Sequence, residues 1–105
     1  MNLTLVYITC KDKKEAVKIA KALLQERLIA CANIIPTIES WFWWKGKIVK
    51  GGEALLLCKT LPKKAHSIQK RVNELHSYDV VCIEFIEVKK ADPDYLKWVM
   101  RETSK

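Results

Sequence analysis

The sequence predicts an α+β fold in which four antiparallel strands carry two helices on one face, with a third helix at the C-terminus. Three observations predict it. Runs of β-branched and aromatic residues alternate with segments whose apolar residues recur at helical spacing, in the order strand, helix, strand, strand, helix, strand, helix. The chain has 105 residues, enough for one core and a single domain over 1–105. Half of the residues are hydrophobic, with only three Gly and three Pro, which excludes collagen, a flexible linker protein and a largely disordered chain. No apolar run approaches the ~20 residues of a membrane-spanning helix. Met1 to Cys10 is apolar but has neither a basic leader nor a small-residue cleavage site, so a cytoplasmic location without a membrane partner is expected.

The elements follow in order. Residues 3 to 10, Leu-Thr-Leu-Val-Tyr-Ile-Thr-Cys, read as a strand. Asp12 offers an N-cap, and Glu15 three residues on completes a capping-box pattern. Ala16, Ile19, Ala20, Leu23, Leu24 and Leu28 then form the apolar stripe of a helix whose other face is Lys14, Lys18, Lys21 and Gln25. Cys31 to Trp44 is a long extended run in which Pro36, lacking a ladder donor, marks a bulge or an edge. Lys45-Gly46-Lys47 supplies a turn, and Ile48 to Thr60 returns as the third strand, with Gly51-Gly52 as a kink. Pro62 suits the first turn of a helix carrying Ala65, Ile68, Val72 and Leu75, which ends near His76. Val80 to Val88 is the fourth strand, and Asp92-Pro93 opens a helix bearing Tyr95, Leu96, Val99 and Met100. Two split βαβ units with right-handed crossovers give a ferredoxin-like sandwich, βαββαβ plus a C-terminal helix.

A sheet with one face in water should alternate apolar and polar residues. Here both faces are apolar: Leu5 and Tyr7 oppose Val6 and Ile8, and Leu55 and Leu57 oppose Ala54, Leu56 and Cys58. Length adds to this. A strand from Cys31 to Trp44 runs roughly 46 Å at about 3.3 Å per residue. The helix from Pro62 to Leu75 spans about 21 Å at 1.5 Å per residue. The hairpin between the second and third strands must therefore overhang its core, yet its tip carries Trp41, Phe42, Trp43 and Trp44. A two-stranded ribbon with exposed aromatics on both faces needs a cover. Either the terminal helix folds back over it, or subunits associate, and association is the expectation.

The net charge is +7, from 19 Lys and Arg against 12 Asp and Glu. Basic charge attracts anions at long range but identifies no partner. An RNA-recognition module of the same strand order needs a Lys/Arg-Gly-aromatic platform on its third strand. Lys50-Gly51 begins that pattern, but Gly52, Ala54 and Leu57 hold the aromatic places, so no specific nucleic-acid binding is expected. Cys10, Cys31, Cys58 and Cys82 form no Cys-x-x-Cys pair, and each lies among aliphatic residues, which reads as four buried thiols. No nucleophile elbow, paired catalytic carboxylates or phosphate-binding glycine loop appears, so no enzyme activity is expected. The imidazoles are His66, read as exposed, and His76 at a helix end. A composite site of His76 and a thiol, meeting across subunits, would suit copper, because imidazole and sulfur are its preferred ligands.

Arg27-Leu28-Ile29-Ala30-Cys31-Ala32-Asn33-Ile34-Ile35-Pro36, followed by Ser40-x-Phe42-x-Trp44-x-Gly46-Lys47-Ile48, resembles the CutA divalent-cation tolerance family. Lys59-Thr60, His76-Ser77-Tyr78 and Tyr95-Leu96-x-Trp98 extend the resemblance over almost the whole chain. It implies a ferredoxin-like fold assembled as a tight homotrimer, similar in architecture to the PII signalling proteins. It also implies a cytoplasmic, non-enzymatic protein of the response to divalent metal ions, with copper as the bound ion. An alternative role is a PII-like signalling or scaffold trimer that binds a small anionic ligand or a protein in its intersubunit clefts. The family pattern His-Pro-Tyr-x-x-Pro-Glu is altered here: Ser77 and Val81 stand for the prolines and Cys82 for the Glu, and Phe42 replaces a usual Tyr. A first-strand cysteine, a copper ligand in some relatives, would fall near Ile8, and Cys10 lies two residues on, on the same strand face. His76 is the ligand that carries over.

Overall fold

The computed structural model describes residues 2–105. Its elements are β1 (Leu3–Cys10), α1 (Lys13–Gln25), β2 (Cys31–Trp44), β3 (Lys47–Thr60), a 3₁₀ turn at Pro62–Lys64, α2 (Ala65–Leu75), β4 (Ile83–Val88) and α3 (Pro93–Thr103). The strands form one antiparallel sheet in the order β2-β3-β1-β4, which is the predicted ferredoxin-like topology. Side chains alternate across a strand, so Val6, Ile8 and Cys10 of β1 share one face with Ala54, Leu56 and Cys58 of β3. On that face they meet Ala16, Ile19, Ala20 and Leu23 of α1 and Ile68 and Val72 of α2, and this is the main core.

The ends of α1 are set locally. Asp12 accepts a hydrogen bond from the Glu15 N–H at 2.8 Å, as an N-cap should. The helix stops at Gln25 rather than reaching Leu28, because Arg27 turns into the left-handed region at φ 58°. The Leu28 N–H then bonds the Leu23 carbonyl at 3.0 Å and the Arg27 N–H bonds that of Leu24 at 3.1 Å, the paired bonds of a Schellman ending. At the start of the second helix Pro62 opens a 3₁₀ turn, and the α-helix proper begins at Ala65.

Pro36 does mark an irregularity, since the β2–β3 register shifts between Ile35 and Ile38. Pairing then runs in step through Gly51 and Gly52 to Trp44↔Lys47. β1 accompanies β3 only as far as Cys10↔Ala54, so the remainder of the hairpin is a two-stranded ribbon. α3 packs Val99 against Leu3 and Leu61, at the other end of the sheet. It does not cover the ribbon, and Trp41 and Trp43 stay 63% and 72% exposed in the single chain.

Two expectations are corrected. β4 begins at Ile83, not Val80: the Ser77 and Tyr78 amides bond the Glu15 and His76 side chains rather than β1, and the chain rejoins β1 where the Cys82 carbonyl accepts from the Thr9 N–H at 3.3 Å, just ahead of the strand. The four thiols are not all buried. Cys10 and Cys58 are, Cys31 is half-buried, and Cys82, just ahead of β4, is exposed.

Candidate metal centre

Three chain segments meet where β1 ends. Cys10 is the last residue of β1, on the face covered by the helices. Glu15 lies in the first turn of α1, where the helix dipole favours a carboxylate. His76 caps α2, its N–H bonding the Val72 carbonyl at 2.9 Å, and its extended backbone turns the chain back over β1. One donor atom from each of Cys10, Glu15 and His76 lies within 4.8 Å of the others. His66, in contrast, is exposed on α2.

The polar network around these residues defines their states. Glu15 does not bond the N-cap N–H as in a full capping box. Its Oε1 accepts from the Lys11 N–H at 3.0 Å and its Oε2 from the Ser77 N–H at 3.0 Å, so it ties α1 to the segment after α2. The His76 side chain is fully buried and 3.7 Å from Glu15, measured from Nδ1 to Oε1. The Tyr78 N–H can only donate, so Nδ1, at 3.1 Å, accepts; Nε2 then carries the ring proton and donates to the Thr9 carbonyl at 2.8 Å. The Tyr78 ring lies 4.7 Å from the imidazole, and its hydroxyl donates to Glu53 at 2.8 Å.

Burial, reinforced by the nearby Glu15, Glu53 and Asp12 carboxylates, pushes the Cys10 thiol up to about 12. At neutral pH the sulfur keeps its proton unless a cation displaces it. Burial also acts to raise the Glu15 carboxyl, but the hydrogen bonds from Lys11 and Ser77 and the neighbouring His76 outweigh it, leaving the group below its usual value. Tyr78 is raised, by burial first and then by its bond to Glu53.

The donor set fits a metal ion. It combines sulfur, nitrogen and oxygen within one small, shielded volume, a mixture suited to zinc or copper and unlike the all-oxygen shells of calcium or magnesium. Of the residues read from sequence, His76 and Cys10 are thus brought together, and they meet within one subunit. Glu15 was hidden behind its capping role. Its signal was a capping carboxylate with a second oxygen to spare, ahead of a His-x-Tyr that the fold returns to it.

Beside the cluster opens a groove of about 850 Å³ between the hairpin and residues 77–82, walled by Tyr7, Trp41, Phe42, Trp44 and Tyr78 and edged by Glu53. No helix of the described residues is long and apolar enough to cross a membrane.

Comparison with known proteins is consistent across the chain. The family model described as CutA1 divalent ion tolerance protein matches residues 4–102. The Divalent-cation tolerance protein CutA of Pyrococcus horikoshii is 42% identical over 103 residues, covering 98% of this chain and 100% of that protein. The Xenopus laevis Protein CutA homolog is 37% identical over 93% of this chain, which spans only 65% of that relative. The solved structure of the periplasmic divalent cation tolerance protein CutA from Archaeoglobus fulgidus superposes with a TM-score of 0.94 at 36% identity, over 96% of this chain and 98% of that one. Sequence, fold and the family model agree along the same residues, and the chain belongs to the CutA1 divalent ion tolerance family.

Proposed function

We propose that this chain is a non-enzymatic homotrimer of the cytoplasm that binds divalent metal ions, copper(II) foremost, with His76 as a ligand, and serves the response to those ions. The observation that carries this reading is the convergence of Cys10, Glu15 and His76 within 4.8 Å. Among first-row divalent ions copper(II) binds such donor sets most tightly. The network also favours ligation over catalysis. A thiol held protonated and an imidazole with both nitrogens engaged make a poor nucleophile and base. Trimer formation is supported by the uncovered aromatic ribbon and by the half-buried Leu5, Tyr7, Leu55 and Leu57 on the second sheet face.

A PII-like scaffold role draws on the groove. Its edge carries Glu53, Asp79 and Glu84, which disfavour a small anionic ligand and leave a protein segment as the occupant in that reading. Titration calorimetry with copper(II), and separately with nucleotides, distinguishes the two. The expected result is one copper per chain, at least about tenfold weaker binding in His76→Ala, and no nucleotide heat. Equal copper affinity in His76→Ala would remove that residue from the site.

A further inference from the structure

Resting on that metal-binding reading, the geometry of the cluster also determines which ion charge it suits and what binding must displace. The His76 Nε2 is committed to the Thr9 carbonyl, so the free lone pair of the ring belongs to Nδ1. Nδ1 is the nitrogen that faces Glu15, and its lone pair is occupied by the Tyr78 N–H at 3.1 Å. A cation shared with Cys10 and Glu15 therefore takes the hydrogen-bond partner of the Tyr78 amide.

Charge selects the ion class. On coordination Cys10 becomes a thiolate, Glu15 is already a carboxylate and the imidazole stays neutral, so the three ligands together carry two negative charges. A divalent ion cancels them. The His76 and Glu15 side chains are 0% and 6% exposed, and uncompensated charge in such surroundings is costly. Sulfur and nitrogen in the shell restrict the choice to thiophilic ions of low coordination number.

We propose that Cys10, Glu15 and His76 form an intrasubunit site for one divalent thiophilic cation, and that filling it detaches the Tyr78 amide from His76 and loosens residues 78–81, between the Ser77 amide held by Glu15 and the Cys82 carbonyl held by the Thr9 N–H. On loading, the Cys10 S–H bond breaks, a metal–sulfur bond forms and the proton leaves to solvent; no atom changes oxidation state. Glu15 ligates through Oε1, the oxygen nearer Nδ1, whose second lone pair keeps the Lys11 N–H, while Oε2 keeps the Ser77 N–H. Release is thus confined to the chain after Ser77. That chain forms one wall of the groove opposite Trp41, Phe42 and Trp44, so occupancy alters the surface offered there.

Zinc is the redox-silent probe, added to the full chain with amide hydrogen exchange followed residue by residue. The expected result is one zinc per chain, Tyr78 amide exchange at least tenfold faster, Ser77 unchanged, and loss of binding in Cys10→Ala and Glu15→Gln. Since both side chains are buried, X-ray absorption of zinc-loaded wild type is the second measurement, and one sulfur with nitrogen and oxygen neighbours is expected. A protein that binds neither zinc nor copper(II) overturns the metal-binding reading itself. Zinc bound without a sulfur neighbour, or bound undiminished in both variants, overturns this site while leaving that reading standing. Zinc bound through Cys10 with Tyr78 exchange unchanged overturns the coupling.

Discussion

Glu15 shows how one side chain serves two levels of structure. It takes the place of a helix-capping carboxylate, yet its oxygens hold the Lys11 and Ser77 amides, one ahead of the helix and one far along the chain. In metal-free protein, Glu15→Gln keeps the shape but removes the charge and one acceptor, so a loss of about 1–3 kcal/mol is expected. The pH dependence has a definite sign. The folded carboxyl lies below its unfolded value of about 4.3, so its contribution is complete above that value and fades as pH falls through the lower folded one. Denaturant unfolding of the wild type should therefore weaken more steeply on acidification than that of Glu15→Gln; superposable acid limbs would refute the assignment. Cys10 and His76 were legible in the sequence as residue types suited to metal. Their meeting within one subunit was not, because it depends on how the end of α2 packs over the end of β1. Local patterning says nothing about that.

Among the elements, those with strong periodicity and local stop signals were legible almost to the residue, and those held by distant side chains were not. β1 and the hairpin belong to the first group; α1 starts where its N-cap pattern places it but ends at Gln25 rather than Leu28, at a left-handed turn on Arg27 that the apolar stripe does not signal. Val80-Val81-Cys82 has strand composition, but the bonds of Ser77 and Tyr78 to Glu15, His76 and Glu53 hold the segment ahead of it off the ladder, and β4 starts late. The hairpin turn offers a clean test of local chemistry. Lys45 and Gly46 sit at φ 50° and 77°, positive at both central positions as a type I′ turn requires. Lysine bears a left-handed cost there that Asn tolerates better. Lys45→Asn should raise the melting temperature, by the equivalent of several tenths of a kcal/mol. Gly46→Ala should lower it by about 1 kcal/mol. A Cβ at Gly46 meets nothing within 4 Å, so backbone conformation alone is responsible. Equal melting temperatures for the two variants would rule out this turn geometry in solution.

For the whole molecule, shape and surface lead to the same expectation. The radius of gyration is 14.3 Å, above the ~13 Å typical of a chain near this length, and the long dimension is 45 Å. The excess length is the ribbon, where Trp41, Phe42, Trp43, Trp44 and Ile48 are 41–72% exposed in the single chain. This much was legible, since strand length against helix length already required an overhang and Pro36 marked the irregularity in β2; the packing of α3 at the far end came only with the structure. A large aromatic side chain buries about 150–250 Å², worth a few kcal/mol at about 25 cal/mol per Å² before ordering costs. Closed symmetry repeats that gain in every subunit. Wild-type protein should accordingly scatter light as a trimer at micromolar concentration, with a melting temperature that rises with concentration. Trp41→Ser with Trp43→Ser, the two most exposed rings, should yield smaller species or aggregates and a lower melting temperature. Charge should contribute little to this contact, so raising salt should leave the trimer intact, whereas assembly through the ribbon's Lys45, Lys47 and Lys50 would weaken. A wild-type monomer at micromolar concentration, or a double variant still trimeric with an unchanged melting curve, would show that the aromatic ribbon is not the interface.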